Sequence, residues 1–268
     1  MYKLSRLVPL TLLILITGCT TTSSSFTTPY STSDQTDVGD DYDKEKAAST
    51  RLSLGLRYLA QSDYEKAKFN LDKAFTHLPN NENVLRGFAW YYEKVSENKL
   101  AERYYKKAMA VNAKNPALLN QYGVFLCRND QLKKSIEMFD ASAKILSNKD
   151  VGGTYENAAT CSLIAGDTVK AEVMYRKALN HNPSQRDSLL GMATIEFGKD
   201  RFQRSRSYLS RYEKIAEHTP RSLWLALRTE SKLGNMNAVA SYGIKLEQLY
   251  PDSQQTVDYL DTRSQWLK

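Results

Sequence analysis

From about residue 48 onward the sequence repeats itself at an interval of about 34 residues, which confines the chain to a stack of small, similar units. The first unit places Leu54, Gly55, Tyr58, Ala67, Ala74 and Pro79 at positions 7, 8, 11, 20, 27 and 32. The second, from near 82, has Phe88, Ala89, Tyr92, Ala101, Tyr105 and Ala108 in the matching places. A third, from 116, gives Tyr122, Gly123 and Phe139, with Ser135 where Ala is usual. After two extra residues a fourth gives Ala159, Ala171, Tyr175, Ala178 and Pro183. A fifth from 186 is weaker, with Ala193, Ser205 and Leu209, and a sixth from about 219 offers Leu225, Ala226, Ala238 and Tyr242.

The spacing has a physical reading as two helices per unit, A and B. Small residues at positions 8 and 20 let the two approach, large ones at 4, 7, 11 and 24 fill the space around them, and Pro at 32 stops helix B. The pattern resembles the tetratricopeptide repeat. That resemblance implies an all-α, right-handed superhelical solenoid of about six helix pairs over residues 48–253, with 254–268 as a capping segment or tail. Each unit buries its apolar face only against its neighbours. With 12 Gly and 7 Pro in 268 residues, the composition argues against a turn-rich β-sandwich.

The first residues speak to compartment. Lys3 and Arg6 form a positive start, and Leu7 to Ile16 form an apolar stretch too short to span a bilayer comfortably. Ile16-Thr17-Gly18-Cys19 resembles a bacterial lipobox, which implies cleavage of a 1–18 signal and acylation of Cys19 at its thiol and new amine. Thr20 stands where an inner-membrane retention signal usually has Asp, so the resemblance implies an outer-membrane lipoprotein facing the periplasm, held by lipid at Cys19. Residues 19–47 then read as the lipidated Cys and a disordered polar tether, because their Ser, Thr and Asp cannot bury enough surface to offset ordering. Such a tether reaches roughly 30 Å.

No chemistry-bearing motif stands out. The chain has no H-E-x-x-H, no C-x-x-C, no G-x-S-x-G and no Gly-rich phosphate loop. His77, His181 and His218 are read as solvated residues near helix ends, so no catalytic residue, no metal site and no cofactor is expected. Beyond residue 18 the basic excess is about +5 and no block of like charges occurs, so nucleic acid is not an expected partner.

Two cysteines remain once Cys19 is set aside. Cys127 falls at position 12 of the third helix A and Cys161 at position 10 of the fourth. Adjacent A helices run side by side, so the thiols either form a disulfide in an oxidising compartment or stay as a pair of buried free thiols.

Asn120-Gln121-Tyr122-Gly123-Val124-Phe125-Leu126-Cys127 resembles the N-x-Y-G-x-F-L-C signature of the PilF/PilW lipoproteins of type IV pilus biogenesis. The T-C-S context of Cys161, Leu223-Trp224-Leu225 and Leu249-Tyr250-Pro251-Asp252-Ser253 extend the likeness over about residues 50–255. The resemblance implies a pilotin, which promotes outer-membrane localisation and multimerisation of a PilQ-type secretin. A general periplasmic scaffold that gathers envelope-assembly enzymes is the alternative on the same fold.

In this repeat class helix A lines the concave groove through positions 2, 5, 9 and 12. Those positions include Arg86 and Trp90 in unit two, Asn120 and Val124 in unit three, and Glu156 and Thr160 in unit four. Leu52, Leu56 and Leu59 make the first unit's groove face apolar, either as an anchor for a partner segment beside Trp90 or as a surface covered by the tether.

Overall fold

The computed structural model describes residues 38–266, all of whose regular elements are α-helices. Cys19, the signal segment and the tether before Val38 lie outside the described residues. The first helices of the six pairs are α1 (Val38–Ala60), α3 (Glu82–Lys94), α5 (Pro116–Arg128), α7 (Val151–Ile164), α9 (Arg186–Gly198) and α11 (Pro220–Lys232). Their partners are α2 (Tyr64–His77), α4 (Asn98–Val111), α6 (Leu132–Ala143), α8 (Thr168–His181), α10 (Phe202–Glu213) and α12 (Met236–Leu249). A thirteenth helix, α13 (Gln254–Trp266), packs on both α11 and α12.

The turn inside each pair is built the same way six times. One residue adopts a left-handed conformation: Ser62, Ser96, Asp130, Gly166, Asp200 or Gly234. The next backbone N–H then reaches back five residues, as in Asp63 to the Tyr58 carbonyl (3.0 Å), Glu97 to Tyr92 (2.8 Å) and Asp167 to Ser162 (2.8 Å). This bond satisfies a carbonyl that the helix end would leave orphaned. Only two of the six positions carry Gly, the residue that adopts this conformation without steric cost.

Consecutive first helices pack on one another, α5 on α7, α7 on α9 and α9 on α11, whereas no two second helices pack closely. The first helices therefore line the inner side of the stack and the second helices its outer side. Buried Ala67, Ala101, Ala171, Ser135 and Ser205 each sit fourth in their second helix, where a small side chain lets the partner helix approach. The large residue at position 24 does the filling. Gly123 leaves room for the Phe139 ring, since a Cβ there would stand 2.7 Å from Phe139 Cε1.

Three expectations are corrected. Residues 38–47 are helical rather than part of the tether, and Ala48 is already buried. The run Lys44-Glu45-Lys46-Ala47-Ala48 is made of good helix formers, and the acids preceding it suit a helix N-terminus. The sixth unit runs one residue later than a start at 219 implies. Its second helix places fully buried Val239, not half-buried Ala238, at the fourth position. At Gly243, one turn on, the ring of Tyr259 from α13 occupies the space a side chain would need, so α13 completes this last core. The third correction concerns His218. It sits in the α10–α11 connection with its side chain only 12% exposed, between Tyr212 and Tyr242, and its ring nitrogens meet Glu213 (3.0 Å) and Ser222 (3.1 Å). Burial holds its pKa below the usual histidine value.

Candidate functional site

The first helices of units one to four enclose an inner groove of about 680 Å³. On α1, Leu52 and Leu56 stand one turn apart and form an apolar flank, with Ala48 above them. On α3, Arg86 and Trp90 are again one turn apart, and α5 adds Asn120, Val124 and Arg128. Asn157 of α7 closes the far end. Side-chain caps start α3 and α5: Asn81 accepts from the N–H groups of Asn83 and Val84, and Asn115 from those of Ala117 and Leu118.

Of the seven residues read as a partner-binding face, Leu52, Leu56, Arg86, Trp90, Asn120 and Val124 line this groove. Leu59 does not. It is 1% exposed, because it lies where α1 turns into α2 and its carbonyl accepts from Ser62 in that turn (3.2 Å). Unit four also departs from the reading. Glu156 points its carboxylate to α9, accepting from the Ser188 N–H (2.7 Å) and hydroxyl (2.8 Å), and Thr160 pairs with the Tyr175 hydroxyl (3.2 Å). Asn157, one residue on, faces the groove instead, as Gln121 does at the equivalent position of unit three. Its carboxamide donates to the Asn120 oxygen at 3.1 Å, linking the two helices across the groove.

The groove carries both cations and a masked acid. Arg86 donates to Asn83 (2.8 Å) and lies 3.7 Å from Glu82. Arg128 is 3.9 Å from Glu93, with its side chain 71% exposed. Glu93 is largely buried and accepts from the Tyr105 hydroxyl at 2.5 Å. Burial raises the Glu93 pKa above the usual carboxylate value, and burial together with Glu93 keeps the Tyr105 phenol protonated. Lys94 stands 6.0 Å from the Trp90 ring centroid. An apolar wall, an indole, two guanidinium groups and a row of carboxamides suit an extended polypeptide segment that offers apolar side chains, backbone amides and a carboxylate. Among the described residues no three His, Cys, Asp or Glu side chains converge as a metal site.

Cys127 and Cys161 are joined as a disulfide between α5 and α7, with Cα atoms 5.9 Å apart. Both are buried, and the bond ties together two of the helices that supply groove residues.

No protein-family model matches the chain. It is 27% identical over 238 residues to the type IV pilus assembly protein PilF of Pseudomonas aeruginosa, covering 89% of this chain and 90% of PilF. A solved structure of Pseudomonas aeruginosa PilF superposes with a TM-score of 0.74 at 26% identity, covering 82% of this chain and 99% of that one. The chain is homologous to PilF along nearly its whole length. The crystal structure of PilW, a widely conserved type IV pilus biogenesis factor, has the same fold, with a TM-score of 0.71 at 21% identity over 80% of this chain and 98% of PilW. The N-x-Y-G-x-F-L-C segment that suggested the family forms most of α5, where Gly123 receives Phe139 and Cys127 meets Cys161. Arg128 and Asn157 escaped the sequence reading because each stands one residue away from a position assigned to the groove.

Proposed function

We propose that this PilF homologue is a lipid-anchored pilotin of the outer membrane. Acylated Cys19 holds it on the periplasmic side, and the groove binds an extended segment of a PilQ-type secretin subunit. Binding delivers subunits to the outer membrane and favours their multimerisation, and so supports pilus assembly. The observation that carries this reading is the Trp90 groove, with its apolar flank at Leu52 and Leu56, in a chain homologous to PilF along nearly its whole length. Aromatic anchors in a concave, partly apolar site are where binding energy concentrates.

The test is an immunoblot for heat-resistant secretin multimers in outer-membrane fractions of cells with the wild-type protein, without it, and with Trp90→Ala. Loss of multimers in the deletion, with monomer retained, and a matching defect in Trp90→Ala at equal protein level is the expected result. Unchanged multimers in the deletion would overturn the pilotin reading.

A further inference from the structure

We propose that the outer surface of α4 is a docking face for an anionic lipid bilayer. Inward, α4 buries Ala101, Tyr105 and Ala108. Lys99, Arg103 and Lys106 recur at the same spacing two residues out of phase, which places them on the opposite side of the helix, and all three are exposed. Lys107 flanks the row and Lys114 follows the helix. Glu102 is the one acid on α4. It pairs with Lys106 at 2.7 Å, and among the described residues Lys99 and Arg103 have no ion-pair partner.

The charge is unevenly divided. The six first helices together carry 11 bases and 10 acids, whereas the six second helices carry 16 bases and 8 acids. The excess is greatest on α4, with four bases to one acid. A net-basic surface of this kind fits an anionic partner.

Exposed carbon decides between a bilayer and a soluble polyanion. Phe69 on α2 is 55% exposed with Lys73 Nζ 5.6 Å from its ring centroid, and Val111 at the end of α4 is 49% exposed. Lipid headgroups offer phosphates to the bases, and the acyl boundary beneath them accepts the apolar side chains. A soluble polyanion has nothing to offer Phe69 or Val111. With the second helices turned to the bilayer, the groove on the first helices opens away from it. The inference is independent of the partner proposed for that groove, so loss of secretin binding leaves it standing.

The experiment is flotation of the full chain with phosphatidylcholine vesicles, with and without phosphatidylglycerol, in parallel with the variant Lys99→Glu/Arg103→Glu/Lys106→Glu. Each base near an anionic surface contributes about a fivefold gain in partitioning. The wild type is expected to favour the anionic vesicles at least about tenfold, and the variant to lose that preference. Its binding to pure phosphatidylcholine, which reports membrane attachment by anything other than the basic row, stays unchanged, and a far-UV circular dichroism spectrum matching wild type verifies the fold. A salt titration of the wild type gives the second readout, with the preference falling as ionic strength rises. Equal binding of wild type to both vesicles overturns the proposal, as does a preference that survives the triple variant. Polyphosphate that displaces the protein from anionic vesicles at equal phosphate concentration would assign the row to a soluble polyanion and also overturn it.

Discussion

Glu156 on α7 accepts from the backbone N–H of Ser188 on α9 at 2.7 Å and from its hydroxyl at 2.8 Å. The N-cap residue of α9, Gln185, makes no side-chain cap of its own, so a carboxylate from the preceding repeat satisfies a donor that the helix start leaves open. Cutting Glu156 back to Ala should cost about 1–2 kcal/mol, in the range of a lost helix cap or a charge-assisted hydrogen bond. Glu156→Gln, which keeps an acceptor oxygen, should cost less. Urea unfolding of both variants checks the order, and equal losses would contradict the capping role.

The buried groove carboxylate makes stability depend on pH with a definite sign. Burial raises the folded-state pKa of Glu93 above its unfolded value. Its contribution is therefore fully present below the usual glutamate pKa and is lost as pH rises through the raised one. The wild type should exceed Glu93→Gln in stability most at acidic pH, and the difference should shrink toward neutrality. Unfolding midpoints of both proteins between pH 4 and 7 measure it. A difference that grows with pH would mean that Arg128 and Tyr105 outweigh burial.

Ser96 occupies the left-handed turn position at φ 62° where the equivalent residue of unit four is Gly166 at φ 77°. The left-handed conformation costs a residue with a Cβ roughly 1–2 kcal/mol, partly offset by the greater unfolded-state freedom of Gly. Ser96→Gly is expected to stabilise by about 0.5–1 kcal/mol, and Gly166→Ala to destabilise by about 1 kcal/mol. Thermal melts of the two variants should move in opposite directions.

Cys127 and Cys161 are 34 residues apart, so their bond closes a loop of intermediate length. On the chain-entropy model it contributes roughly 3–4 kcal/mol. Dithiothreitol should lower the melting temperature of the wild type and leave that of Cys127→Ala/Cys161→Ala unchanged. An unmoved wild-type melt would show that the pair does not stabilise the fold.

Gly123 and Phe139 form one close approach, and a side chain on either changes both. Gly123→Ala should destabilise by about 1–3 kcal/mol through overpacking. Adding Phe139→Leu should recover part of that loss, and a double-mutant cycle in urea measures the coupling. Strictly additive losses would mean that the ring does not sense position 123.

Much of this architecture is legible in the residue order, because a repeat stack is held by neighbours. A small residue at positions 8 and 20 and a large one at 24 specify how two helices meet, and that contact recurs every 34 residues or so with little help from the rest of the chain. The all-α class, the solenoid, the adjacency of Cys127 and Cys161 and most of the groove wall follow from that local rule. Tertiary structure decided what the rule leaves open. The start of α9 draws Glu156 away while Asn157 faces the groove, and the α1–α2 turn places Leu59 in the core. Past α12, Tyr259 of α13 fills the space at Gly243, and the sixth unit shifts by one residue. Periodicity describes units with a neighbour on each side. Where a unit meets a different neighbour, as unit six meets α13, only packing in three dimensions selects the side chain that fills the space.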